Sequence, residues 1–194
     1  MAQAGSKSRP LPSSNKILKA VSINFLEPDR MKRVILVRHA KSISHGYDQD
    51  YDRTLTERGE EDALTISQEL QKMNIHPDLI IASPAVRTTQ TARIYSETLG
   101  YPFKSILFEK KLYSGKTQEN FLSMLQELED EKETVLVFGH NPTVYYYMHY
   151  LLQHFNDDVP TCSTVGIDFG VESWSQLRAN AGEMAFRFIP DMFR

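Results

Sequence analysis

The chain has a single cysteine, Cys162, among 194 residues. No internal disulfide can therefore staple it, and a thiolate metal cluster is disfavoured. So little cysteine fits a reducing compartment, and a cytoplasmic location is the expectation. No apolar run approaches the ~18 residues of a membrane span. The longest stretch, around 143–152, is broken by His149 and rich in tyrosine, so no membrane association is expected. An excess of positive charge is also missing. Twenty-two Lys+Arg against 25 Asp+Glu leave a formal net charge of −3, which gives no support to a nucleic-acid partner. No His-Glu-x-x-His or EF-hand pattern occurs, so no metal or other cofactor is expected. No Gly-x-Ser-x-Gly elbow occurs either, which leaves a serine hydrolase poorly supported.

What is present is ordinary for a soluble globular chain: 41% hydrophobic and 24% charged residues, enough for one domain with a sizeable core. Residues 1–30 stand apart. They hold Ser, Pro, Lys and Asn, with no acidic residue before Glu27. They read as a flexible leader or a mis-called start, with Met31-Lys32-Arg33 as a fresh beginning. Low arginine content (Arg9 and Arg30) argues against an organelle transit segment, and no continuous apolar stretch follows the lysines as a secretory signal requires. Residues 31–194 read as a single domain.

In that domain strands and helices alternate. Apolar runs predict strands at 33–38, 78–82, 103–108, 134–138, 163–169 and 184–189. Thr56 is a candidate N-cap for a helix whose apolar side is Ala63, Leu64, Ile66, Leu70 and Met73. Ser83 followed by Pro84 reads as the cap and first position of a helix running to about Gly100. Further helices are predicted over 117–129, with Phe121, Leu122, Leu125 and Leu128 on one face, and from Pro142 to about Phe155. Tyr145, Tyr146 and Tyr147 on the latter are read as partly core, with contact to a partner as the alternative. The alternation predicts an α/β fold, a three-layer α/β/α sandwich.

Two apolar strands end abruptly in polar residues. Val34-Ile35-Leu36-Val37 runs into Arg38-His39-Ala40-Lys41-Ser42, and Val135-Leu136-Val137-Phe138 runs into Gly139-His140-Asn141-Pro142. In open α/β sheets the carboxyl edge is where ligands bind. Arg87 falls one turn into the helix after the second predicted strand and can reach that edge. An arginine fork, two imidazoles and a second arginine at one edge suit an anionic phosphoryl group. Lys41 is a weaker phosphate-binding candidate. Ser83 reads as a cap rather than a nucleophile. His45 lies in a polar loop that could approach the site, while His76, His149 and His154 look ordinary.

Four segments taken together resemble the histidine phosphatase superfamily. They are Leu36-Val37-Arg38-His39-Ala40-Lys41-Ser42, Arg53-Thr54-Leu55-Thr56-Glu57-Arg58-Gly59, Ala82-Ser83-Pro84-Ala85-Val86-Arg87-Thr88-Thr89-Gln90-Thr91-Ala92, and Gly139-His140-Asn141-Pro142. Within that superfamily the chain is most similar to the SixA-type phosphohistidine phosphatases. The likeness spans roughly 32–190 in the right order, with Arg-His-Ala where Arg-His-Gly is usual. The resemblance implies a phosphoglycerate mutase-like fold with a mostly parallel central sheet. It implies a metal-independent phosphatase in which His39 is the nucleophile and is itself phosphorylated. Arg38, Arg87 and His140 hold the phosphoryl oxygens, with His140 favoured as a cation. The proton donor is open: Glu109 is the nearest positional match, and Asp48, Asp50 and Asp52 are further candidates. Asp52 and Arg53 match a polar pair typical of the SixA-like group. The short span from Glu109 to Thr117 leaves no room for the lid of larger relatives and implies an open site. The implied partner is a phosphorylated protein, with phosphohistidine leading. A small phosphorylated molecule is the alternative substrate, and a non-catalytic phosphate-binding module is the rival from another class.

Overall fold

The computed structural model describes Met1 and residues 31–194, so the expected leader lies, apart from Met1, outside the described residues. Among the described residues six strands form one sheet: β1 (Lys32–Arg38), β2 (Leu79–Ala82), β3 (Leu107–Phe108), β4 (Thr134–Gly139), β5 (Thr164–Phe169) and β6 (Glu183–Phe188). Their order is β3-β2-β4-β1-β5-β6. The first four run parallel; β5 is antiparallel to β1, and β6 is antiparallel to β5. Helices α1 (Glu57–Lys72), α2 (Val86–Thr98), α3 (Lys111–Ser114), α4 (Gln118–Gln126) and α5 (Thr143–Leu151) connect them.

The central strands are apolar throughout because both faces are covered, and their side chains alternate between two cores. Val34 and Leu36 of β1, with Val135 and Val137 of β4, pack against Phe121 and Leu125 of α4 and Tyr147 and Met148 of α5. Ile35 and Val37, with Leu136 and Phe138, face Ala63, Ile66 and Leu70 of α1 and Ala92 and Tyr95 of α2. This is the expected three-layer arrangement. Each fully buried aliphatic side chain contributes about 1.5–3 kcal/mol. All four apolar residues from Val34 to Val37 have no exposed surface, so the strand that delivers the site is anchored on both sides.

The departures from expectation are local. Leu64 and Met73 are exposed, and α1 buries the narrower stripe Ala63, Ile66 and Leu70. Leu64 follows Ala63 by one residue, which turns it about 100° off the core face. The strand expected at 103–108 is a 3-10 turn, Phe103–Ser105, followed by the two-residue edge strand β3, whose side chains are both exposed. Helix α5 stops at Leu151 rather than near Phe155, although Phe155 still reaches the core from the following loop. Of the three tyrosines, Tyr147 is buried and stacks on Phe121 at 3.9 Å, whereas Tyr146 is exposed. Trp174, in the polar connection between β5 and β6, is fully buried. Its indole N–H is satisfied by the Lys132 carbonyl at 2.6 Å.

One contact sets the geometry just beyond β1. The Thr56 side chain caps α1 by accepting from Gly59 N, and Thr56 N donates to the Lys41 carbonyl at 2.9 Å. A Cβ on Gly59 would stand 2.1 Å from that same carbonyl oxygen. Only glycine lets the first turn of α1 press this closely on the segment that follows His39.

Candidate active site

Strand ends at one sheet edge hold the centre of the site. His39 follows β1 directly, and its backbone is bonded on both sides: its N–H donates to the Gly139 carbonyl at 3.0 Å, and its own carbonyl accepts from Cys162 N at 3.0 Å. The His39 ring lies 5.1 Å, centroid to centroid, from that of His140, which follows β4. Both are buried. Arg87, in the first turn of α2, is also buried and donates from Nε to His39 Nε2 at 3.2 Å. The expected convergence of Arg38, His39, Arg87 and His140 on one edge is therefore present in space.

The hydrogen bonds define the tautomer of His39. Its Nδ1 lies 2.8 Å from the Ala40 carbonyl, which can only accept, so Nδ1 carries the proton and Nε2 keeps its lone pair. Burial above all lowers the His39 imidazole to about 4, joined by the charges of Arg87, Arg38 and Arg53 and opposed by the Ala40 hydrogen bond. The ring is thus neutral at pH 7, with Nε2 basic and directed into the cluster. That is the form a nitrogen nucleophile requires.

His140 is held differently. Its Nε2 lies between the hydroxyls of Ser83 (2.8 Å) and Thr88 (3.1 Å). Ser83 is therefore a partner of His140 and not the helix cap expected from sequence: α2 begins at Val86, with Ala85 in the cap position and no side-chain cap bond. The buried strand end draws the hydroxyl inward, where a ring nitrogen needs a partner. Burial first, then the neighbouring His39 and Arg87, push the His140 imidazole down to about 3. The expectation of a cationic His140 is not met here: burial and the neighbouring positive groups hold it low, opposed by the charge of Asp50.

Arginines and a carboxylate form the rim. Arg38 donates from Nη1 to the Val159 carbonyl at 2.7 Å, which aims its guanidinium along the edge. Arg53 donates to Ser42 Oγ and, at 3.0 Å, to Asp50 Oδ1. Asp50 also accepts from Arg87 Nη2 at 2.8 Å through Oδ2 and from Arg87 Nη1 at 2.6 Å through its backbone oxygen. Burial works to raise the Asp50 carboxyl, but the hydrogen bond from Arg87 and the charges of Arg87 and Arg53 outweigh it and leave it lowered. Tyr113 completes the rim. Its ring meets His140 edge-on at 5.5 Å, and its hydroxyl donates to Asp50 Oδ2 at 3.3 Å.

Three sequence candidates do not join this cluster. The Glu109 carboxylate makes its one side-chain hydrogen bond locally, accepting from Lys111 N at 2.8 Å at the start of α3. Asp52 is exposed, and it is Asp50, two residues earlier, that meets Arg87. Lys41 has its backbone oxygen on the cap of α1, while its side chain lines a separate cleft with Arg58, Asp62 and Arg194. Tyr113 carried no sequence signal. It arrives because the short connection after Glu109 coils into α3, so the site has a small lip where an open mouth was expected. No three His, Cys, Asp or Glu side chains gather as a metal-ligand set among the described residues. Among them, too, no helix is long and apolar enough to cross a membrane.

The donors with nothing to bind are the most telling. Among the described residues, four buried polar atoms lack a hydrogen-bond partner: Arg187 Nε, on β6, and three others, Arg38 Nε, Arg53 Nε and His140 Nδ1. Buried polar groups rarely stay unsatisfied. Two of these three are cationic donors in the same cluster, which points to an anion as the missing partner.

Comparison with known proteins agrees with this geometry. Residues 34–111 match the family model of the histidine phosphatase superfamily, branch 1. The fold of the chain is that of the protein histidine phosphatase SixA, whose tungstate complex superposes with a TM-score of 0.73 at 21% identity, covering 84% of this chain and 99% of SixA. An uncharacterized chloroplastic protein of Arabidopsis thaliana is 31% identical over 134 residues, 64% of this chain and 62% of its own length. The mitochondrial serine/threonine-protein phosphatase Pgam5 of Drosophila ananassae is 33% identical over 81 residues, 42% of this chain. The chain spans only 28% of the length of that Pgam5.

Proposed function

We propose that this protein is a metal-independent phosphatase that acts through a phosphorylated His39. The observation that carries this reading is the pairing of a neutral His39, its Nε2 lone pair directed into the site, with unpartnered buried nitrogens on Arg38, Arg53 and His140. The steps follow from that pairing. His39 Nε2 attacks phosphorus, and the bond from phosphorus to the leaving atom breaks. That bond's electron pair stays on the leaving atom, which takes up a proton. Water then attacks the phosphorus of the phosphohistidine, releasing inorganic phosphate and regenerating His39. Arg38 and Arg87 neutralise the equatorial oxygens. His140, its Nε2 held by Ser83 and Thr88, turns Nδ1 to the phosphoryl group. Phosphoryl transfer asks chiefly for positioning and charge stabilisation, and arginines supply both without a metal.

The proposed substrate is phosphohistidine on a protein. The likeness of fold to SixA supports it, and so does the chemistry of the rim. An imidazole leaves as a neutral base and needs less help from an acid than an alkoxide does. Of the candidate acids, Asp52 is exposed, Glu109 is bonded to Lys111 N, and Asp50, inside the cluster, has its carboxyl held low by its arginines.

The test is a side-by-side assay of the full chain and His39→Ala in EDTA, on a phosphohistidine protein and on p-nitrophenyl phosphate. Release of phosphate by the wild type and not by His39→Ala supports the nucleophile. A faster rate on the phosphoprotein supports the substrate class, and a faster rate on the ester favours a small-molecule phosphomonoesterase. No release from either substrate would sink the enzymatic reading and leave a phosphate-binding module.

A further inference from the structure

Arg87 is the buried cation nearest the nucleophile, yet its end-on fork is already taken. Nη1 and Nη2 bind the backbone oxygen and Oδ2 of Asp50, at 2.6 and 2.8 Å. Its Nε, meanwhile, covers the lone pair of His39 Nε2. Asp50 is no isolated surface acid: Oδ1 takes Arg53, and Oδ2 also takes the hydroxyl of Tyr113. A carboxylate whose oxygens bridge two arginines occupies the positions that two oxygens of a phosphoryl group would use.

We infer that Asp50 is an exchangeable internal ligand of the phosphoryl site, which an incoming phosphoryl group must displace from Arg87. The inference rests on the reading that this cluster binds phosphoryl groups. The asymmetry of the pair says which partner moves. The Arg87 side chain is 6% exposed and fixed in α2, whereas that of Asp50 is 54% exposed. Asp50 opens a three-residue 3-10 turn, Asp50–Asp52, in which no residue is buried. Backbone bonds from Ile43 N to Thr54 O, and from Thr56 N to Lys41 O, close the loop at its base, and beyond them the backbone of its tip is bonded only within its own turn and to Arg87. Gly46, at φ +80° with open space around it, lies in that loop. A phosphoryl dianion brings more charge and more oxygens than one carboxylate, so it wins the fork when present. When product forms, the returning carboxylate competes for the same fork and speeds release. The same exchange frees Arg87 to move off Nε2 and uncovers the attacking atom.

An opposite role makes the opposite forecast. If Asp50 only held Arg87 in place for phosphate, its removal would weaken binding. Titration calorimetry of the full chain with inorganic phosphate separates the two. Asp50→Asn is expected to bind phosphate about tenfold more tightly than wild type, the effect of losing one charge-assisted competitor. Tyr113→Phe, which removes one donor from Asp50, should tighten it by less. Hydrogen exchange over residues 49–53 should rise on phosphate addition in wild type and stay unchanged in Asp50→Asn. Misfolding cannot produce tighter binding, so the direction alone is informative. Equal or weaker binding by Asp50→Asn, beside a wild type that does bind, overturns the exchange and leaves the phosphatase reading intact. Absence of phosphate binding in both proteins overturns the phosphoryl-site reading and the exchange with it.

Discussion

The site has two halves, and they are built differently. One half, Arg38, His39, Ser83 and His140, sits on the ends of parallel strands, with backbones tied into the sheet ladder. The other half, Asp50, Arg53 and Tyr113, sits on a loop and a one-turn helix and is joined mainly by side-chain charge and hydrogen bonds. In the proposed mechanism the strand-borne half supplies the nucleophile and the fixed donors, and the loop-borne half supplies what can rearrange. Groups that must not move rest on burial. Groups that answer to a ligand rest on interactions a ligand can replace.

The comparison can be broken from the strand side first. Arg38→Ala removes a fixed donor and should lower kcat/KM by about 10²–10³ while leaving the melting temperature nearly unchanged. A loss of only a few-fold would mean that the strand-borne arginine is not the principal clamp. Gly59→Ala probes the floor beneath the site. Its Cβ would meet the Lys41 carbonyl at 2.1 Å. The strain should cost about 1–3 kcal/mol in denaturant unfolding and lower activity by shifting the segment after His39.

Protonation gives a third test. His39 at about 4 and His140 at about 3 both lie below the ordinary imidazole value of 6.5. The unfolded chain therefore binds more protons across that window, and stability must rise with pH through it. The contribution is complete above 6.5 and is lost as pH falls through the folded values. Melting temperatures from pH 4 to 7 should climb accordingly, and replacing both imidazoles with Gln should flatten the slope. Bound phosphate favours the imidazolium and should also reduce it. The smallest effect belongs to Lys41→Ala, which should change phosphate release less than twofold, because that side chain lines a different cleft. A tenfold loss would return Lys41 to the site.

The same two halves divide what could be read from sequence. Strand ends were legible because an apolar run that stops in Arg38-His39 or Gly139-His140 has only one edge on which to place those side chains. Arg87 was legible from its distance past a helix start. The rim was not. Asp48, Asp50 and Asp52 are chemically alike, and which of them meets Arg87 depends on how a non-repetitive loop turns. Tyr113 comes from a four-residue helix too short to leave a periodic signal. Ser83 shows a different kind of failure: its local sequence says cap, but the ring nitrogen of His140, 57 positions away in the chain, claims the hydroxyl. Leu64 and Met73 were placed on the apolar side of the helix by their spacing, and the real helix face passed them by.

The reversed direction of β5 has a further consequence. Because it runs against β1, it begins where β1 ends, and its approach through Cys162 and Ser163 bonds His39 and Arg38 from the flank opposite β4. Insertions and deletions in that neighbourhood would break two ladders at once. For anyone seeking to redirect this scaffold toward new substrates, the freedom therefore lies in the loop around Asp50 and the turn bearing Tyr113. Both can be lengthened, shortened or recharged while the His39 imidazole keeps its place.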